Sequence, residues 1–354
     1  MNKLGSNSTP RNLTANVSLS PFTTFHLGGP ARIFIKARSD SEVEDGIKYA
    51  RERNLTIFPL GAGSNILVPD VGVDGVVMKM VLRDLTMWHD DDGVILVAGA
   101  GTPWDDVVDI ATEHGFFGIE NLAGIPGTVG GALVQNIGAY GAELADVFEY
   151  ADVINCLTSE HKRINRVEAC LGYRTSSFKE HREYIIVRIA LRLSNRATPN
   201  VVYRDLDLAQ KRGIPLSTSR EIVRAVRDIR ANKFPSISEE GTAGSFFKNP
   251  IVDEGTFALL RAKYPDMPEY QSSTRNMSNG RKIPLAWLLD HTLSLNGFSK
   301  GRVRLYEKQP LVIVASAGAT ASEVDEFARE VAERVFIETG ILIEREVEIF
   351  GTRT

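Results

Sequence analysis

An α+β fold is what this sequence predicts, and three observations predict it. Residues 33–60 read as strand, helix and strand and run straight into a glycine loop. Residues 185–193 alternate apolar and polar letters, as a half-buried strand does. Two amphipathic helices, after Thr218 and after Thr320, each open with a capping box. Strands and helices mixed along the whole chain argue for α+β layers in about three parts. The length of 354 residues agrees, at roughly 150 residues per domain.

The N-terminus, Met1 to Val17, is polar and rich in Ser, Thr and Asn, without the apolar centre of a secretory signal, and a loose arm is expected there. Residues 33–37 read as a strand. Ser41 and Glu44 offer a capping box for a helix with Val43, Ile47 and Ala50 on one face. Residues 56–60 return as a strand and enter Gly61-Ala-Gly-Ser-Asn65. The next residues, from Ile66, are strand-like until Pro69, and strands follow at 75–80 and 94–98. Thr102 is placed to cap a helix with Pro103 at its first position, where a missing N–H is harmless, and Gly115 to end it. Residues 147–157 and 185–193 are strands. In the second, Val187, Ile189, Leu191 and Leu193 face inward while Arg188 and Arg192 face outward. Residues 195–200 form a boundary loop. The helix after Thr218 carries Ile222, Val226 and Ile229 and stops before Phe234-Pro235. In the last part 311–315 is a strand. The helix after Thr320 buries Val324, Phe327, Val331 and Val335 and ends at Gly340. Two short strands, 341–343 and 346–350, close the chain.

Between 120 and 141 the chain places Gly124, Gly127, Gly130, Gly131, Gly138 and Gly141. Glycine weakens an ordinary helix or strand; it is useful where φ is positive or where backbone must approach a ligand closely. The stretch is either an irregular core loop or a nest of N–H groups around a phosphate. The second glycine loop, at 61–65, favours the phosphate. That loop is not a dinucleotide fingerprint, which needs a glycine at position 66 and a helix after it. Nor is it a P-loop, which needs Gly-Lys-Ser/Thr.

Net charge is −4, so nothing points to nucleic acid or an anionic membrane as partner. No apolar run is long enough to span a bilayer, and a cytoplasmic protein is expected. Cys156 and Cys170 are expected to be free thiols. The histidines are scattered without paired ligand spacing, so no metal is expected. The absence of a G-x-S-x-G elbow argues against a serine hydrolase.

Six segments occur in order along nearly the whole chain: PFTTF at 21–25, LGAGSN at 60–65, the stretch 120–141, GYRTSSFK at 172–179, AGSFFKNP at 243–250 and EREV at 344–347. Together they resemble the UDP-N-acetylenolpyruvoylglucosamine reductase family, flavoenzymes that complete UDP-N-acetylmuramate in peptidoglycan synthesis. A lone G-x-G-S-N loop is unspecific, whereas GSFFKNP in ordered company is specific. The resemblance implies a vanillyl-alcohol-oxidase/PCMH-type FAD-binding fold of two subdomains plus a C-terminal α+β substrate domain. The parts would be a flexible arm over 1–17, subdomains over 18–84 and 85–232, a lid segment at about 200–230 as in the family's first subtype, and the substrate domain over 233–350. It implies FAD held by Gly61, Ala62, Gly63, Ser64, Asn65, Ile125, Pro126, Gly127, Thr128, Gly130, Asn136 and Gly138. No histidine stands in the glycine loops to tether it, so the FAD is expected to be non-covalent. NADPH and UDP-N-acetylenolpyruvoylglucosamine are the implied small-molecule substrates of a monomer.

In that chemistry a hydride passes from NADPH to FAD N5 and on to C3 of an enol ether, and C2 is protonated. The protein must then supply a cation, a proton and orientation. Arg174 matches the cation, since a guanidinium holds a carboxylate through two bonds; a surface ion pair would carry the same residue. Ser245 matches the proton donor to C2. A hydroxyl is a poor acid without help, and a serine before two phenylalanines is also an ordinary strand residue. Glu346 matches the glutamate that orients the C2 and C3 chemistry. Glu344, Glu346 and Glu348 would share one strand face, as a solvated acidic edge does. Tyr173, Tyr203 (the lid tyrosine), Lys233, Asn249 and Gln309 match substrate contacts, and Tyr306 stands where some relatives carry histidine. One rival, another flavin oxidase of the same fold, leaves GSFFKNP unexplained. A second, a nucleotide-sugar-binding protein without turnover, is disfavoured by the presence of Arg174, Ser245 and Glu346.

Overall fold

The computed structural model describes residues 10, 12–90, 93–269 and 280–352. Its first unit consists of β1 (Leu13–Ser18), β2 (Pro30–Ala37), α1 (Asp40–Glu52), β3 (Ile57–Leu60), β4 (Ile66–Leu67) and β5 (Val73–Met80). The sheet order is β1-β2-β5-β3, parallel except where β1 meets β2. β1 corrects the expectation of a loose arm as far as residues 13–17, which pair with β2; residues 1–9 and 11 lie outside the described residues. α1 buries Val43, Ile47 and Ala50, as their spacing requires. Its cap is Ser39, whose side chain accepts from the Glu42 N–H, and not Ser41 with Glu44. The Glu42 carboxylate accepts from the Arg38 N–H at 2.7 Å.

The second unit contains β6 (Leu85–Asp90), β7 (Gly93–Gly99), α2 (Trp104–Glu113), α3 (Val129–Gln135), β8 (Phe148–Asn155), β9 (His161–Asn165), β10 (Tyr184–Leu193), α4 (Arg204–Lys211) and α5 (Ser219–Lys233). Its antiparallel sheet runs β9-β8-β10-β7-β6. The alternation expected of β10 holds only in part. A register shift against β8 lets Ile185 and Val187 pack with Val43, Ile47 and Met78 of the first unit. Ile186, Ile189, Leu191 and Leu193 enter the second unit's own core with Trp104 and Phe148. Both faces are filled where the two units meet.

Thr102 does not cap α2. The helix starts at Trp104, no side chain caps it, and Thr102 Oγ1 is buried without a protein partner among the described residues. The central glycine stretch closes that end instead: the Trp104 N–H donates to Gly127 O at 3.1 Å and the Val129 N–H to Thr102 O at 2.9 Å. The stretch is itself not all loop, for α3 runs through Gly130 and Gly131. The segment expected as a lid holds α4 and α5, which sink Leu206, Ile222, Val223 and Val226 into the second unit's core. Its body packs on that core, with Tyr203 37% exposed at the head of α4.

The third unit contains β11 (Gly241–Ser245), α6 (Glu254–Lys263), β12 (Ser299–Lys300), β13 (Val303–Tyr306), β14 (Gln309–Ala315), α7 (Ala321–Thr339) and β15 (Glu348–Ile349). Its sheet runs β11-β14-β13-β12. The capping boxes at Thr218–Glu221 and Thr320–Glu323 form as their letters require, and α7 ends on Gly340 at φ 71. Val324, Phe327, Val331 and Val335 of α7 are buried. Asp70 of the first unit accepts from the Ala321 and Ser322 N–H groups at 2.8 and 2.9 Å, so α7 is capped from another unit. Of the two closing strands only β15 forms, and it pairs in parallel with β4. That long-range pairing returns the chain's last residues to the first glycine loop. Among the described residues no helix is long and apolar enough to cross a membrane.

Candidate active site

A cavity of about 1310 Å³ takes its walls from all three units. The two glycine loops form one side. A Cβ on Gly61 would stand 2.5 Å from Thr128 Oγ1, and one on Gly63, at φ 67, would stand 2.2 Å from Phe22 O. Only glycine fits at Gly63, and a side chain at Gly61 would displace Thr128. The Ser64 hydroxyl donates to Pro126 O at 2.8 Å, tying one loop to the other. Lys79 donates to the Gly61 carbonyl. Thr24 Oγ1 and Thr128 Oγ1 belong to cavity-lining residues and are buried without a protein partner among the described residues, so each can serve a ligand.

Gly61, Ala62, Gly63, Ser64, Asn65, Ile125, Pro126, Gly127, Thr128, Gly130 and Gly138 all line this cavity. Asn136 does not. It is 1% exposed, donates to Gly172 O at 2.8 Å and accepts from the Ala145 N–H at 2.9 Å. It shapes the turn before Arg174 instead of facing the cavity. Arg51, Arg174, Lys179, Arg182, Arg227 and Arg230 line the walls against Glu183, Glu346 and Glu348. Six cations facing three anions suit a polyanion such as a diphosphate, although the chain as a whole is acidic. These features fit FAD: a glycine cradle, waiting hydroxyls and a cationic wall.

The opposite side carries the candidate reacting groups. Arg174 takes a left-handed φ of 54, a conformation that costs a non-glycine residue about 1–3 kcal/mol. Its Nη2 donates to Gly138 O at 2.8 Å and its Nε stands 3.1 Å from Glu346 Oε1. Glu346 is not one of three equivalent acids on a strand. Its N–H donates to Phe246 O at 2.8 Å and its carbonyl accepts from Asn65 Nδ2 at 3.1 Å, which turns it into the cavity. Glu344 instead points outward to Lys248. Ser245 ends β11 just after the register of β11 on β14 slips, with Gly244 at φ 72 in the slip. Such a bulge re-aims the next side chain, and Ser245 lines the cavity.

Tyr173, Tyr203, Lys233, Asn249 and Gln309 do not line this cavity, and the first four are engaged beside it. Lys282 sits 4.2 Å over the Tyr173 ring. Tyr203 packs edge-on against Tyr140 with ring centres 5.5 Å apart. Lys233 pairs with Asp205 at 3.5 Å. Asn249 accepts from the Leu285 N–H at 3.1 Å. Gln309 keeps a buried Oε1 without a protein partner among the described residues. Tyr306 is buried against Val312 and Val314.

Sequence reasoning missed Gln135, Lys179 and Arg230, all on the cavity wall. The first two lay inside the segments 120–141 and 172–179 without a role. Arg230 sits three residues before Lys233, a spacing that shares a helix face. Its Nε donates to Gly124 O at 2.9 Å, its guanidinium covers the Phe234 ring at 4.8 Å, and burial pulls its pKa down.

Burial, with repulsion from Arg83 and Lys36, pulls Lys79 from 10.5 to about 8. Between those values the unfolded chain holds a proton that the folded chain has released, so the group's contribution to stability rises with pH across that window. Lys79→Met should flatten that rise. Thermal midpoints of the FAD-free protein from pH 8 to 10.5 provide the check, and parallel curves for the two proteins would refute it.

A family model described as an FAD binding domain matches residues 31–163, and one for the C-terminal domain of UDP-N-acetylenolpyruvoylglucosamine reductase matches residues 236–350. The chain is 35% identical to the UDP-N-acetylenolpyruvoylglucosamine reductase of Pseudomonas aeruginosa over 341 residues, 96% of this chain and 99% of that protein. It is 35% identical to the enzyme of the same name from Photobacterium profundum over 339 residues, 94% of each. The crystal structure of UDP-N-acetylenolpyruvylglucosamine reductase from Thermus caldophilus superposes with a TM-score of 0.65 at 26% identity, covering 96% of this chain and 98% of that one. With the two glycine loops on one side of a cavity and Arg174, Ser245 and Glu346 around it, the chain belongs to the UDP-N-acetylenolpyruvoylglucosamine reductase family, oxidoreductases with FAD as cofactor.

Proposed function

We propose that the chain reduces UDP-N-acetylenolpyruvoylglucosamine to UDP-N-acetylmuramate with NADPH, as a monomer in the cytoplasm. The observation that carries the reading is the convergence of Arg174, Ser245 and Glu346, distant in sequence, on the one cavity that both glycine loops line. Bound FAD would supply the redox chemistry by which a hydride equivalent passes from NADPH to C3 of the substrate. The glycine loops would hold the cofactor's diphosphate, and Lys79 fixes the Gly61 peptide by donating to its carbonyl. The Arg174 guanidinium, aimed by Glu346 and by the Gly138 carbonyl, holds the substrate carboxylate while negative charge develops at C2. Ser245 Oγ gives C2 its proton, and the hydroxyl is restored from solvent. Tyr173, Lys233, Asn249 and Gln309 serve the nucleotide sugar at the cavity's margin.

Tyr203, at the head of α4, closes over that sugar. Tyr203→Phe should weaken substrate binding about fivefold, the loss of one hydrogen bond near 1 kcal/mol, and leave NADPH binding unchanged. Titrations of the oxidised holoenzyme followed by flavin absorbance test this, and an unaltered substrate affinity would remove the tyrosine from that role.

An anaerobic absorbance titration tests the whole reading. NADPH should bleach the flavin bands, and the enolpyruvyl nucleotide sugar should restore them. Bleaching without recovery would mean a different acceptor, and no bleaching would mean a different donor.

A further inference from the structure

Gln135 and Lys179 line the cavity beside Arg174 and Glu346 and have no part in the mechanism above. Gln135 ends α3 and is 7% exposed. Lys179, in the turn that follows Arg174, keeps 18% of its side chain exposed. Lys179 Nζ donates to Gln135 Oε1 at 2.5 Å and lies 2.9 Å from Glu348 Oε1. Gln135 Nε2 donates to Glu346 Oε1 at 3.2 Å, the same oxygen that Arg174 Nε approaches at 3.1 Å. Four side chains thus run in line from Lys179 to Arg174.

Donor chemistry fixes the direction of that line. A lysine ammonium has three donors and no acceptor, so the Gln135 atom that meets it must be the oxygen. The NH2 end is then committed to Glu346, and an N–H is satisfied there only by an oxygen lone pair. The Glu346 carboxylate favours the same orientation, and the ammonium secures the other end of the amide. Turned over, it would set oxygen against oxygen at Glu346 and push that carboxylate away from Arg174. The Lys179–Glu348 pair is no rival explanation, because Glu348 is 40% exposed and pairs of that kind contribute little.

We infer that Lys179 is a positioning residue for the reduction: it pins Gln135 Oε1, so that the Gln135 amide donates to Glu346 and holds the Glu346 carboxylate against Arg174. The inference rests on the roles proposed above for Arg174 and Glu346. Its test uses the FAD-loaded enzyme as wild type, Lys179→Met, Lys179→Arg, Glu346→Gln and the double variant Lys179→Met/Glu346→Gln. FAD affinity is read by fluorescence quenching, and the two half-reactions are read separately by stopped flow.

In enzyme saturated with FAD, Lys179→Met should slow flavin reoxidation by the enolpyruvyl sugar on the order of 10–100-fold, the effect of a misplaced reacting group. Reduction by NADPH should change far less. Lys179→Arg, which also has only donors, should recover most of the rate. In the Glu346→Gln background the lysine change should add less than about twofold, because its effect runs through Glu346. Multiplying effects in the double variant, or equal slowing of both half-reactions, would overturn the inference and leave the proposed function standing. A normal reoxidation rate in Glu346→Gln would instead overturn the proposed role of Glu346, and the inference with it.

Discussion

Ser245→Ala is expected to slow reoxidation of the reduced flavin by the enolpyruvyl sugar roughly 10²–10⁴-fold, the span of a lost general acid, with reduction by NADPH near its normal rate. The fold should tolerate the change. Ser245 is half-buried at the end of β11, its pairing with Val312 is made by backbone, and alanine keeps the Cβ that the bulge directs inward. What disappears is a single hydroxyl on the cavity wall. Stopped-flow absorbance on each half-reaction separates the outcomes. Equal slowing of both would make Ser245 a support of the cofactor site and not the donor to C2.

Arg174→Ala should cost the same half-reaction on the order of 10²–10³-fold, the usual loss when one stabiliser of developing charge is removed. The substitution removes the partner of Glu346, whose side chain is only 13% exposed, and the donor to Gly138 O. It leaves the left-handed turn to be held by Asn136 through the Gly172 carbonyl. Arg174→Lys keeps the charge without the planar fork and should recover only part of the rate. A normal single-turnover reoxidation in Arg174→Ala would take the residue out of the site.

The helices after Thr218 and Thr320 were legible because a cap and its i, i+3, i+4 apolar face are written within a few residues. β6 and β9 were not, since LTMWHD and HKRIN are largely exposed edge strands whose hydrogen bonds come from β7 and β8. The cap of α1 was misplaced by two residues because Ser39 and Ser41 are equivalent by letter. The backbone decides between them: Ser39 alone has the extended φ and ψ from which a side chain reaches the N–H three residues on. α2 had no cap to find, its N-terminus being closed by Gly127 and Thr102 backbone groups. Within the candidate site, motifs point to Arg174, Ser245 and Glu346; they also point to Asn136 for the cofactor, although its side chain braces a turn.

Local letters by themselves determined the α+β class, the capped helices and the glycine loops, because a few neighbouring residues carry each of those preferences. Only the tertiary structure decided that β15 returns to β4, that a bulge turns Ser245 inward, and that Lys179 and Gln135 stand behind Glu346. Those arrangements depend on segments that meet only after folding, where a buried donor finds its acceptor on a distant segment, and no local preference encodes that pairing.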